Sequence, residues 1–242
     1  MQIFTEDDFA GEVSDHPLAG QFTVLGFNEG GFSQIPHNFF RNWLDQDPQY
    51  GHFYIGRCSG FGVGSTVKYD GDQQSLCVGR FVAGGLGLRF LLNGQHEMRT
   101  ISTYMFSIAG PGLTNAPPPQ YADSVIKNDV WIGDETMMLG GGIIENGCVI
   151  GARSVLPPNF RSEPYGIYVG SPARLVRFRF SEKVRAALLE LAWWEMPLSW
   201  IRDNNALFVQ DMTADEGLAL EIIARLAASR QAFEARQASG TA

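Results

Sequence analysis

Positive charge is scarce in this chain. Its 242 residues carry 18 lysines and arginines against 26 aspartates and glutamates, a net charge of −8. A surface of that sign is a poor polyelectrolyte partner for DNA or RNA, so no nucleic acid is expected as a partner. Cysteine is nearly absent too: Cys58, Cys77 and Cys148 fall in no CxxC spacing. That excludes a disulfide framework or zinc knuckle and leaves buried, reduced thiols. No apolar run approaches the ~18 residues that a membrane span needs. The opening "MQIFTEDDFAG" is acidic, with neither a basic n-region nor an apolar h-region. A soluble cytoplasmic protein without a membrane partner is the expectation.

What is plentiful is glycine and proline, 28 and 12 residues, with 45% of the chain hydrophobic. Without a collagen-like period, that composition favours a turn-rich, mainly β protein. The decisive pattern is a period of six. Ile126, Ile132, Met138, Ile144, Ile150 and Leu156 stand six residues apart, and Val130, Thr136, Gly142, Cys148 and Ser154 follow each of the first five by four. Neither the helical period of 3.6 nor the strand period of 2 keeps aliphatic residues at every sixth place. A chain turning a corner every six residues does, with three short strands per turn and each turn stacked on the last. Glycines such as Gly133, Gly147 and Gly151 would suit the corners.

The period extends upstream through Ile55 and Phe61, then Val78, Gly84 and Phe90, with a phase break over 67–75. From Asn93 to Ser124 it is lost. A loop this long inside a regular coil is uncommon unless it serves a function, and it departs beside His96, one of only four histidines. The chain therefore divides into a flanking segment 1–52 packed on the first turns, a coil 53–180 interrupted by loop 97–123, and C-terminal helices in 181–242. In the first part, "IPHNFFRNWLDQDP" predicts a short helix followed by a turn. In the last, "SEKVRAALLELAWWEM" predicts a helix capped by Ser181, with a stripe of Val184, Leu188 and Leu191 and a stop at Pro197. A further helix is expected after "TADEG", where Thr213 and Glu216 have capping-box spacing, with Leu218, Ile222, Leu226 and Phe233 near one face.

Several of these runs converge on one family. "NGQH" followed by "STY-F", then "NDVWIG", "IG-R-V", "YVGSPAR" and "WWEMP" resemble the hexapeptide-repeat xenobiotic acetyltransferases, which include the type B chloramphenicol and streptogramin enzymes. The resemblance spans roughly 52–200. It implies a left-handed parallel β-helix assembled as a homotrimer, with acetyl-CoA as cosubstrate in a groove between subunits and the excursion loop over the acceptor pocket. It implies that His96 is the base that deprotonates the acceptor hydroxyl, that Arg174 and Arg177 approach the nucleotide end of CoA, and that Gly133 and Gly151 line the pantetheine path. Arg179 belongs to the same basic cluster. Where the family often has Thr-Lys, Leu156 and Pro157 stand, so a lysine contact is absent or replaced by Arg153 or Arg161. Ser171 replaces an Asn, and segment 1–52 is unlike the chloramphenicol branch.

The chemistry fits those residue types. A hydroxyl is a weak nucleophile at neutral pH, and an imidazole can take its proton and release it afterwards. Hydroxyls at Ser102 and Thr103 are candidates to support the site. The expected function is acetyl-CoA-dependent O-acetylation of a small hydroxylated molecule: an antibiotic, a specialised metabolite or a sugar. The alternatives are N-acetylation of an amino sugar on the same scaffold, or a non-catalytic trimeric scaffold. A zinc site of the γ-carbonic anhydrase kind is disfavoured because His37, His52 and His96 lack close pairing, so no metal is expected.

Overall fold

The structure, a computed structural model, describes residues 1–69, 71 and 74–240; part of the phase break over 67–75 lies outside them. The sixfold register becomes a series of very short strands: Ser124–Ile126, Trp131–Ile132, Met137–Leu139, Ile143–Ile144, Val149–Ile150 and Val155–Leu156. Each carries one of the periodic aliphatic residues, and all six of those side chains are buried. Val130, Thr136, Cys148 and Ser154, at the second periodic position, are buried as well. Successive strands fall on three five-stranded, predominantly parallel sheets visited in rotation. Ile126 pairs with Ile144, Ile132 with Ile150 and Met138 with Leu156. One full turn is thus three six-residue steps, and each turn covers the apolar interior of its neighbour.

The corners obey the same beat. A left-handed backbone recurs at Asp129 (φ 56), Glu135 (φ 59), Gly141 (φ 75), Gly147 (φ 71), Arg153 (φ 58), Asn159 (φ 57) and Tyr165 (φ 60). Most are not glycine. The cost of that conformation in an L residue is offset where the corner N–H finds a carbonyl on the next turn, as Glu135 does at Leu86 and Arg153 at Asp134, both 2.8 Å. Of the three glycines expected at corners, only Gly147 has this geometry.

Gly133 and Gly151 are required for a different reason, the closeness of adjacent turns. A Cβ on Gly133 would lie 2.5 Å from the Ala152 backbone nitrogen, and one on Gly151 would lie 2.7 Å from Val169 Cγ1. Gly133→Ala is expected to destabilise the protein by about 1–3 kcal/mol, since backbone yields less readily than a side chain. A thermal melt superimposable on wild type would refute that crowding.

The flank is woven into the coil. Gln2–Phe4 adds a parallel strand to His52–Ile55, and Phe40–Arg41 adds one to Thr66–Lys68. The helix expected in 35–48 does not form. Instead Phe39 is buried against Phe53, Phe61 and Phe90, closing the end of the apolar interior. Tertiary burial of that aromatic overrides the local pattern. Phe9–Glu12, Phe22–Phe27 and Phe32–Pro36 form a three-stranded antiparallel sheet, joined to the coil by a bridge between Gln34 and Gly60.

A buried ionic hub ties flank, coil and C-terminal region together. Arg57 donates to Glu6 Oε2 at 3.0 Å and to the Met196 carbonyl at 2.9 Å, while Arg80 Nε donates to Glu6 Oε1 at 2.7 Å. Arg80 also pairs with Glu195.

Helix Glu182–Leu191 is capped by Ser181 and buries Val184, Leu188 and Leu191 as expected. It ends earlier than Pro197, at Ala192 in the left-handed conformation, and Pro197 instead precedes helix Leu198–Asp203. The long helix Glu216–Ala238 is capped by Asp215, whose side chain accepts from Leu218 N. Thr213 turns back to Asp211 instead. Ile222 and Leu226 are buried on its inner face with Ala219 and Ile223, whereas Leu218 is exposed.

Candidate active site

The strand Arg89–Leu91 lies between Thr66–Lys68 and Met137–Leu139. Past Leu91 the chain turns at Asn93-Gly94, where Gly94 has φ 91, and the excursion begins. His96 stands at its root, exposed, and accompanies Asn93, Ser102, Tyr104 and Ile108 around a cavity of about 580 Å³. Its Nδ1 is 2.6 Å from the carbonyl oxygen of Thr103. A carbonyl only accepts, so Nδ1 carries the hydrogen and Nε2 of the neutral ring is the basic nitrogen. Support for the histidine thus comes from the Thr103 backbone rather than from its hydroxyl. The Ser102 hydroxyl accepts from Tyr104 N at 3.1 Å and shapes the same turn.

Beside His96, the Arg99 side chain and backbone hydrogen bonds hold the Glu97 carboxyl down to about 2. It is a fixed negative charge at neutral pH. The returning limb of the loop is anchored by amides: Gln74 Nε2 donates to Gln120 Oε1 at 3.2 Å, and Asn93 Nδ2 to the same oxygen at 3.3 Å. Ser75 N donates to Asp123 Oδ1 at 2.7 Å.

Trp43 also lines this cavity, and the sequence reading missed it. The signal is a matter of register. Arg41 pairs with Lys68 and Lys68 with Leu91, so the chain leaves the same end of the same sheet at Trp43 and at His96.

The glycines and arginines lie on another sheet. Ile132 pairs with Ile150 and Ile150 with Tyr168, which sets Gly133, Gly151 and Val169 in one row, and Val169 pairs with Arg174. Three interstrand steps make that row roughly 14 Å long. Arg177 pairs with Ile167, and a one-residue bulge doubles Val176 into the strand Arg174–Phe178. Without that bulge, residues three apart would face opposite ways. With it, Arg174 and Arg177 share the outward face of Ile167 and Val169, and both are exposed.

Arg179 separates from them. It donates to Asp129 Oδ2 at 3.0 Å and to the Gly147 carbonyl at 2.9 Å, a structural tie. Arg161 is engaged with the carbonyls of Gly141 and Phe160, and Arg153 with Glu135. Neither Gly133, Gly151, Arg174 nor Arg177 lines the His96 cavity within one chain. Cys148 is buried, while Cys58 and Cys77 are half-buried, and burial pushes each thiol up, away from the reactive thiolate.

No family model matches the chain. Over 157 residues it is 38% identical to a probable macrolide acetyltransferase of Lysinibacillus sphaericus, covering 62% of this chain and 83% of that protein. A chloramphenicol acetyltransferase of Escherichia coli is 33% identical over 161 residues, 62% and 76% of the two chains. A virginiamycin A acetyltransferase of Staphylococcus aureus is 32% identical over 161 residues, 64% and 73% of the two. With such relatives, this repeating coil is that of an acyltransferase. The chain belongs to the hexapeptide-repeat xenobiotic acetyltransferase family.

Proposed function

We propose that the protein transfers an acetyl group from acetyl-CoA to a hydroxyl of a small molecule, directly and without an acyl-enzyme. The observation that carries this reading is the His96–Thr103 hydrogen bond, which fixes the imidazole with a basic Nε2 beside a cavity of acceptor size. His96 Nε2 takes the hydroxyl proton as the oxygen attacks the thioester carbonyl. The C–S bond then breaks, and the imidazolium returns the proton to the departing thiolate, giving the ester and free CoA.

Gly133 and Gly151 carry no side chain to block a pantetheine arm lying along their row, and Arg174 and Arg177 supply charge for phosphates at its end. The coil is wound left-handed in this reading, and three copies assemble so that the glycine and arginine row of one subunit faces the His96 cavity of the next. Support for this comes from the separation of the two residue sets within a single chain. The acceptor is an antibiotic, a specialised metabolite or a sugar; three curated relatives are named for antibiotics.

The test is thiol release from acetyl-CoA across a panel of antibiotics, sugars and amino sugars, paired with light scattering. Release with hydroxyl acceptors by a trimer is the expected result. A monomer that still turns over would remove the inter-subunit site, and release confined to amines would replace O- by N-acetylation.

A further inference from the structure

The flank that joins the first turns of the coil ends in an unusual presentation of one side chain. Trp43 sits in a turn closed by Asn42, whose Oδ1 accepts from Leu44 N at 2.8 Å and Gln46 N at 3.0 Å. Asn42 N also donates to the Gln46 carbonyl at 2.8 Å. Arg41 braces the turn from below through Asp45 at 3.3 Å and Asp47 at 3.7 Å. A loop so fixed has a defined aim, yet the indole it carries is 69% exposed. No hydrogen-bond, ion-pair or ring partner exists for Trp43 among the described residues. Large aromatic side chains in rigid settings normally bury their faces. This one lines the cavity of His96, together with the exposed side chains of Tyr104, Met105 and Ile108.

We infer that Trp43 is a specificity-determining residue, the platform on which a flat apolar face of the acceptor lies while the acceptor's hydroxyl meets His96. The substrate class is then a hydroxylated molecule with an aromatic ring or an apolar ring face, not a short open-chain alcohol or amino acid. The inference rests on the O-acetyl transfer reading for the identity of the reacting group. The contact itself does not depend on that reading. Sequence position explains why the pocket gains this wall. The strand Phe40–Arg41 extends the sheet that delivers His96 by one further strand beyond Thr66–Lys68.

The experiment uses the full chain with chloramphenicol and a 14-membered macrolide as ring-bearing probes. Binding is read by calorimetric titration, and turnover by thiol release with acetyl-CoA. Trp43→Ala is expected to weaken binding of the better probe and raise its KM by about ten-fold, with kcat held within about three-fold. Trp43→Phe should recover most of the loss. Because the indole is exposed, the melting temperature should not move, which separates lost contact from lost fold. Equal affinity of wild type and Trp43→Ala overturns the inference, as does failure of the wild type to bind either probe. Normal Trp43-dependent binding without thiol release would instead overturn the transfer reading and leave the platform standing.

Discussion

His96→Ala is expected to lower turnover by ~10²-fold or more, with CoA affinity and assembly unchanged from wild type. The size follows from the role. Without a base the hydroxyl must attack while still protonated, and only positioning of the two substrates remains to accelerate transfer. The variant should fold normally, because His96 is exposed and its hydrogen bond is to a loop carbonyl rather than to the core. His96→Gln sharpens the experiment, since an amide can donate to the Thr103 carbonyl yet offers no proton acceptor of comparable basicity. It should be as inactive as the alanine variant. Glu97 is no substitute base: Arg99 holds its carboxyl down to about 2, so it is ionised throughout the working range and a poor proton acceptor. Steady-state kinetics with CoA titration decides the matter, and turnover near wild type in His96→Ala would remove the histidine from the mechanism.

The second large effect is on stability. Glu6→Ala should cost about 3–5 kcal/mol, because it leaves the buried Arg57 and the half-buried Arg80 without their shared carboxylate. At roughly 2–4 °C per kcal/mol for a chain of this length, the melting temperature falls by about 10 °C. The comparison that isolates the mechanism is Glu6→Met with Arg57→Met, which removes the buried pair and should be milder than Glu6→Met alone, since only Arg80, still paired with Glu195, then loses a partner. The consequence should reach the C-terminal region, since Arg57 also donates to the Met196 carbonyl. Hydrogen exchange around 193–200 is therefore expected to rise in Glu6→Ala. A shift of less than about 2 °C would mean that the hub contributes little.

What could be read from the sequence, and what could not, divides along the distance between interacting residues. The coil was legible because its period is local: every sixth residue repeats one packing environment, and Ile126 through Leu156 all lie where the spacing requires. Ser181 as a helix cap was legible for the same reason. The Glu6–Arg57 pair spans 51 residues, and no local pattern marks it. Trp43 joins the His96 cavity only through strand register across the sheet, which a linear reading does not contain. The helix expected in 35–48 fails because Phe39 is taken up by a ring-lined site at the open end of the coil, formed by Phe53 and Phe61 from distant parts of the chain. The glycines at 133 and 151 were found for an incomplete reason. Their need is set by the approach of the next turn rather than by backbone torsion.

The doubled residue Val176 has a consequence for how this scaffold can change. In a two-step alternation, one added residue inverts every assignment that follows it, so the strand Arg174–Phe178 works as a phase shifter. Its two cations stand three residues apart, a spacing that would set them on opposite faces, and they agree in direction only because the inserted residue corrects it. Point substitutions can therefore grade the charge on that wall, but a single deletion would reverse it, turning one arginine inward without altering the composition. Length, not identity, is the variable to which this edge of the molecule is most sensitive.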